Sequence, residues 1–136
     1  MIVVDASVAL KWVLPERDSN IAIQLRTQDL IAPAFWLIEA ANTLWRMGAT
    51  GLLSRDDAQL RMLDLMAAPV QLFPSESDVQ DALDLALQLQ HPVYDCFYLA
   101  LAIREVTYVV TADTRFAKAV RTHGLWTANL KLLGEI

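Results

Sequence analysis

The stretch from His91 to Val120, HPVYDCFYLALAIREVTYVVTADTRFAKAV, decides how the chain is read. Between Asp95 and Arg104 the residues CFYLALAI are apolar on every side, the pattern of a helix buried over most of its surface. From Val106 to Val110 the run VTYVV is β-branched and aromatic, and it is short enough for an interior strand of a parallel sheet. A second helix follows through Phe116 and Val120. One acid stands where each helix begins, Asp95 at the first and Asp113 at the second. Asp113 therefore emerges just past the carboxyl end of a strand, the edge at which ligands and catalytic groups collect in open α/β sheets.

Outward from that stretch, the same alternation recurs. Met1 to Val4 reads as a short buried strand ending at Asp5, with Ala6 and Ser7 turning into a helix that carries Val8, Ala9, Trp12 and Val13. Pro15 interrupts it, and a second helical piece runs through Ile21, Ala22 and Leu25. Leu30 to Ala32 is a further strand, stopped by Pro33. A helix from Phe35 to Met47 places Leu37, Ile38, Ala41, Leu44 and Trp45 on an apolar face. On its other face Glu39, Asn42 and Arg46 fall within about one 60° sector, because steps of three and seven residues nearly close whole turns. Ser54 with Asp57 caps the next helix, which carries Leu60, Leu63 and Met66 or Ala67. Val70 to Phe73 is another strand. Ser75 and Asp78 repeat the capping pattern before an apolar stripe of Val79, Ala82, Leu83, Ala86 and Leu87, with Asp81 and Asp84 solvated. Beyond the central stretch, Leu125 and Trp126 form a brief edge strand, and Asn129 caps a terminal helical turn.

At 136 residues the chain has the length of one domain, 1–136, with no internal repeat or linker. The longest apolar run, Cys96 to Ile103, has eight residues, far short of the roughly 20 that span a bilayer. No basic segment precedes the apolar start MIVVDAS, and the single Cys96 has no internal disulfide partner, so a reducing cytoplasm is expected. An apolar content of 55% and a mean hydropathy of +0.33 exceed the soluble norm and point to apolar surface covered by a partner, most simply a second copy. Sixteen acids against eleven bases give a net charge of -5, which argues against holding nucleic acid mainly by a basic face. Acids gathered around bound cations escape that exclusion, because the ions reverse the local field.

Strands alternating with helices imply right-handed parallel βαβ units with helices on both faces of one sheet. If the first strand neighbours the 106–110 strand where the winding reverses, Asp5 and Asp113 converge, and Glu39 and Asp95 can reach the same edge. Two negative charges 4 Å apart repel by about 4 kcal/mol at an effective dielectric of 20, so four ionised acids in one pocket require protons or a cation. Oxygen ligands without Cys or paired His favour Mg²⁺ or Mn²⁺. Phosphodiester hydrolysis is the chemistry such an ion suits.

With IVVDAS at the start, Glu39 followed by AAN, YDCFYLALA from Tyr94 and VVTADTRF from Val109, the chain resembles the PIN domain, and in its compact length the VapC-type ribonuclease toxins. The resemblance runs over essentially the whole sequence. It implies an α/β fold, a three-layer α/β/α sandwich around a short parallel sheet of order 3-2-1-4-5. It further implies Mg²⁺- or Mn²⁺-dependent cleavage of RNA, a homodimer, and inhibition by a VapB-like antitoxin. Carried over, Asp5, Glu39, Asp95 and Asp113 are the metal-binding acids, and Ser7 and Thr111 the hydroxyls that orient them. Some members add an acid two positions after the fourth, where this chain has Arg115, which puts a second metal in question.

Blander roles compete with each assignment. Asp5, Asp95 and Asp113 sit where helix caps are found, and an acid on a helix flank such as Glu39 is ordinarily solvated. Four together, with Asn42 aligned to Glu39, favour chemistry. Arg46, Arg115 and Lys118 are candidates for RNA phosphate contacts, against the commonness of surface bases. Trp12, Trp36 and Trp45 read as packing, at a core or an interface, before base stacking. His91 and His123 fall outside the acid pattern. Other readings are a PIN nuclease of RNA processing that is not a toxin, a non-catalytic interaction module of the same fold, and a phosphatase with Asp5 as nucleophile. The last is disfavoured because Ser7 stands where haloacid-dehalogenase-like enzymes carry a second acid.

Overall fold

The computed structural model describes residues 1–136. Strands β1 (Ile2–Val4), β2 (Leu30–Pro33), β3 (Val70–Phe73), β4 (Val109–Thr111) and β5 (Leu130–Leu132) form one sheet in the order β3-β2-β1-β4-β5. Every neighbouring pair is parallel. The connections hold α1 (Ala6–Ala9), α2 (Ser19–Leu25), α3 (Trp36–Ala49), α4 (Arg55–Met66), α5 (Val79–Leu89), α6 (Val93–Arg104) and α7 (Thr114–His123). Successive strand residues point to opposite faces, and every residue of β1, β2 and β4 is buried, so both faces of the central sheet are covered. This is the α/β/α arrangement and strand order that the resemblance implies.

The winding reverses between β1 and β4, where Val3 pairs with Val109 and Val4 with Val110. Asp5 and Asp113 thus leave the sheet at the same edge. The core beneath them includes the fully buried Trp36, Tyr98 and Phe116. Helix α6 is the most deeply set: Cys96 and Tyr98 through Ala102 are all buried, and each large apolar side chain so placed stabilises the fold by roughly 1.5–3 kcal/mol. No helix is long and apolar enough to cross a membrane.

Several local expectations are corrected. The fourth strand begins at Val109 rather than Val106, because Val106 adopts a left-handed backbone (φ +54°) at the end of the α6 turn and is 90% exposed. The last strand is Leu130–Leu132 rather than Leu125–Trp126. Asn129 starts no terminal helix; its amide donates to the Thr107 carbonyl, 2.9 Å away, and ties the approach to β5 to the turn before β4. Three helical stripes are also rotated from their expected faces. Helix α3 buries Trp36, Ala40 and Leu44 while Ile38 and Trp45 are exposed. Helix α5 buries Ala82, Leu85 and Leu89 and leaves Val79, Leu83 and Leu87 outside. On α4 Leu60, Leu63 and Met66 face outward, and Leu65 alone is buried. These helices are apolar on more than one side, so spacing identifies stripes without saying which one meets the sheet.

Candidate active site

Asp5, Glu39, Asp95 and Asp113 come from four separate segments and line one cleft of about 940 Å³ at the carboxyl edge of the sheet. Asp5 follows β1 directly and is only 4% exposed. Its Oδ2 accepts from the Thr111 hydroxyl at 2.5 Å and the Ser7 hydroxyl at 3.0 Å. Those hydroxyls are held in turn, since Ala112 N–H donates to Ser7 Oγ and Asp113 N–H to Thr111 Oγ1, both at 3.0 Å. The network locks the carboxylate to the two central strands. Asp5 also serves as the N-cap of α1, but through a long 3.5 Å contact from Ser7 N–H. Asp113 caps α7 more firmly, its Oδ1 accepting from Arg115 N–H at 2.9 Å and Phe116 N–H at 3.2 Å. Capping and cleft exposure coexist in the same side chain.

Asp95 is not a cap. Helix α6 begins two residues earlier, with Pro92 at its N-cap, so Asp95 lies within the first turn, where the helix dipole favours an anion. His91, outside the acid pattern on sequence grounds, belongs to the site: its Nε2 lies 2.6 Å from Asp95 Oδ2 and its ring stacks on Phe116. Glu39 lies in the first turn of α3, and its Oε1 accepts from the Tyr98 hydroxyl at 2.5 Å. Tyr98 is wholly buried and its phenol is held well above the usual value, chiefly by burial and then by the charges of Asp5 and Glu39, so it stays a donor.

The acids feel one another. Burial pushes Asp5 up to about 6, against the Thr111 bond and with help from the Asp95 charge. Glu39 is pushed up to about 7 by burial, opposed by the Tyr98 bond and reinforced by Asp5 and Asp95. Asp95 is raised as well, by burial first, with His91 opposing and Asp113 adding repulsion. The adjoining Cys96 thiol, pushed up to about 12 by burial and by Asp95, offers no thiolate nucleophile. Carboxylates desolvated and crowded in this way favour a proton or a bound cation, and a hard divalent cation fits the donor set. Ligand atoms of His91, Asp95 and Asp113 lie within 4.8 Å of one another, close enough to share an ion. With its nitrogen already engaged by Asp95, His91 suits the role of orienting that carboxylate.

Of the candidate basic contacts, Arg46 lines the cleft together with Asn42, whereas Arg115 and Lys118 are exposed on α7 and lie outside its lining. Lys11 is a lining cation that sequence reading passed over. Its side chain is 12% exposed and its ammonium bonds to Glu16 Oε2 at 3.3 Å and to the Arg17 carbonyl at 2.8 Å. The available signal was its spacing of four from Ser7, which puts both on one helical face. Among the tryptophans, Trp36 is core, Trp12 donates to the Ala22 carbonyl at 2.7 Å, and Trp45 is 65% exposed beside Met62 in a separate hollow between α3 and α4.

Comparison with known proteins identifies the fold and the family. A curated relative, Ribonuclease VapC3 of Pyrobaculum aerophilum, is 32% identical over 126 residues, covering 86% of this chain and 92% of its own. Among solved structures, PAE2754 of Pyrobaculum aerophilum superposes with a TM-score of 0.73 at 19% identity, over 98% of this chain and 84% of that one. Mycobacterium tuberculosis VapC20, described as a Sarcin-Ricin loop cleaving toxin, gives 0.68 at 15% identity, over 88% and 95%. Both share the fold. The profile of the PIN domain matches residues 2–121, and the chain belongs to the PIN domain family.

Proposed function

We propose that this protein is a divalent-metal-dependent endoribonuclease and the toxin of a VapBC-type pair, acting in the cytoplasm. One observation carries the proposal: Asp5, Glu39, Asp95 and Asp113 line a single cleft in which their carboxyls repel one another. The likeness to Ribonuclease VapC3 supports RNA as the substrate. In this reading Asp5, Asp95, Asp113 and Glu39 hold Mg²⁺ or Mn²⁺. Bound there, the ion supplies Lewis-acid polarisation of the phosphodiester and a more acidic water.

The protein's own groups do the positioning. Ser7 and Thr111 fix the Asp5 carboxylate, Tyr98 fixes Glu39, and His91 turns Asp95 toward the cleft. Arg46 and Lys11 offer charge to phosphates entering the cleft, and Asn42 offers an amide beside Glu39. In-line attack of water at phosphorus with departure of the 3′ oxygen leaves a 5′-phosphate and a 3′-hydroxyl. The apolar side chains exposed along α3 and α4, with Trp45 and Met62 at a hollow of about 470 Å³, suit a helix of a VapB-like antitoxin. Val79, Leu83 and Leu87 along α5 offer further apolar surface for a homodimer.

Purified protein incubated with defined RNAs and Mg²⁺ or Mn²⁺ tests the reading. Cleavage that disappears with chelator and in Asp5→Asn supports it. Undiminished cleavage by a folded Asp5→Asn protein defeats the site, and no metal-dependent cleavage at all favours an interaction module.

A further inference from the structure

The position two residues after Asp113, an acid in some members of the family, is Arg115 here, and its side chain is exposed on α7. Another segment brings a donor to the same two acids. His91 Nε2 lies 2.6 Å from Asp95 Oδ2, and one ligand atom each from His91, Asp95 and Asp113 falls within 4.8 Å of the others. Asp5 and Glu39 stand outside this group of three. The acids therefore divide into two donor sets, one of oxygens alone and one in which a ring nitrogen joins the oxygens. Asp95 and Asp113 line the cleft and give an ion its way into the second set.

The three donors are fixed relative to one another. Phe116, fully buried on α7, joins two of them: its N–H donates to Asp113 Oδ1 at 3.2 Å, and its ring stacks on the His91 imidazole at 5.2 Å between centroids. His91 follows Gln90, whose left-handed backbone (φ +52°) ends α5, and its own N–H donates back to the Ala86 carbonyl at 3.2 Å. Asp95 comes four residues later, in the first turn of α6. Adjacent donors of an octahedral ion with bonds near 2.1 Å stand roughly 3 Å apart, so His91 and Asp95 need to part by only about 0.4 Å to share one. The imidazole then offers the Nε2 lone pair and keeps its proton on Nδ1.

We propose that His91 is a direct nitrogen ligand of a second divalent ion, held together with Asp95 and Asp113, and that it takes the place of the acid absent at Arg115. The assignment rests on the metal-dependent reading of the cleft and adds to it a ligand and a metal preference. Carboxylates and water alone suit Mg²⁺, whereas an imidazole draws a site toward Mn²⁺ and other first-row transition ions. Orienting Asp95 is the ring's part before the ion arrives, and ligation is its part afterwards.

The test titrates tag-free, full-length protein with Mn²⁺. Electron paramagnetic resonance counts the bound ions, and electron spin-echo envelope modulation detects nitrogen nuclei bonded to them. Of the two histidines in the chain, His123 ends α7, about 15 Å along the helix from Asp113, so an imidazole signal has one source. Two ions per chain and an imidazole modulation are expected. His91→Gln keeps a donor to Asp95 but offers no imidazole; the modulation should vanish and the second ion should bind on the order of tenfold to a hundredfold more weakly. His91→Asp restores an oxygen, so both ions should bind without the modulation, and the preference for Mn²⁺ over Mg²⁺ in competition should fall on the order of tenfold. One ion per chain, two ions without nitrogen modulation, or a modulation that survives His91→Gln overturns the assignment. The signal of the native sequence decides by itself if a variant fails to fold. RNA cleavage is followed separately. Cleavage without nitrogen modulation keeps the ribonuclease reading and removes the His91 ligand, whereas modulation without cleavage removes the nuclease reading and leaves the ligand standing.

Discussion

Replacing Asp5 by asparagine makes the metal-free protein more stable at alkaline pH, and the size of the effect follows from the environment of the carboxyl. Asp5 is buried and its pKa rises from 3.8 to about 6 on folding, which corresponds to roughly 3 kcal/mol against the charged form. Between those two values the folded protein keeps a proton that the unfolded chain has released. Stability is therefore highest below 3.8 and falls as the pH climbs through about 6. Asparagine can set its oxygen where Oδ2 lies and still accept from Thr111 and Ser7, giving up only the 3.5 Å contact from the Ser7 amide. The net gain at pH 8 is about 2 kcal/mol, or roughly 6 °C in Tm for a domain of this length. At pH 4 the gain nearly vanishes, because the native carboxyl already carries its proton. Differential scanning calorimetry of both proteins in chelator at pH 4 and pH 8 measures it. Millimolar Mg²⁺ at pH 8 should raise the Tm of the native sequence and leave Asp5→Asn unmoved. A Tm difference that is the same at both pH values, or a lower Tm for Asp5→Asn at pH 8, refutes the claim that an uncompensated charge is buried there.

Tyr98→Phe removes the bond that restrains the rise of Glu39, so the acidic limb of the cleavage profile moves to higher pH and half-saturation needs on the order of tenfold more Mg²⁺. A superimposable profile would show that the Tyr98–Glu39 bond has no bearing on the site. Arg104→Ala strands the buried Asp78 carboxylate and should cost about 2 kcal/mol, a figure reduced because Arg104 is itself 39% exposed. The urea midpoint reports it, and an unchanged midpoint contradicts the assigned role. Val106→Gly relieves a left-handed backbone at a side chain that touches little, for a gain of about 1 kcal/mol and a Tm higher by a few degrees. A lower Tm would mean that Val106 makes contacts its exposure does not reveal.

Much of the fold was legible because it is encoded locally. The apolar block from Cys96 to Ile103 and the acids standing just after strands or at helix starts are features of adjacent residues, governed by periods of 2 and 3.6. Parallel βαβ winding then follows from handedness alone. Segment boundaries were less legible. Val106 looks like a strand residue by type, yet it turns the chain, because the path from α6 to β4 requires a left-handed step there.

Sequence by itself determined which groups this chain offers: four carboxylates, Asp5 and Asp113 just past strand ends and Glu39 and Asp95 in the first turns of helices, with the Ser7 and Thr111 hydroxyls close to the first pair. Tertiary structure alone decided how those groups are tuned. The Tyr98–Glu39 bond joins residues 59 apart, and the Thr111–Asp5 bond joins residues 106 apart. Neither distance is written in any local pattern. Which helical stripe meets the sheet, and hence why Arg46 and Lys11 line the cleft while Arg115 and Lys118 do not, was settled in the same way. Periodicity sets the angle between side chains on one element, whereas the rotation of that element about its own axis is chosen by the packing of all the others.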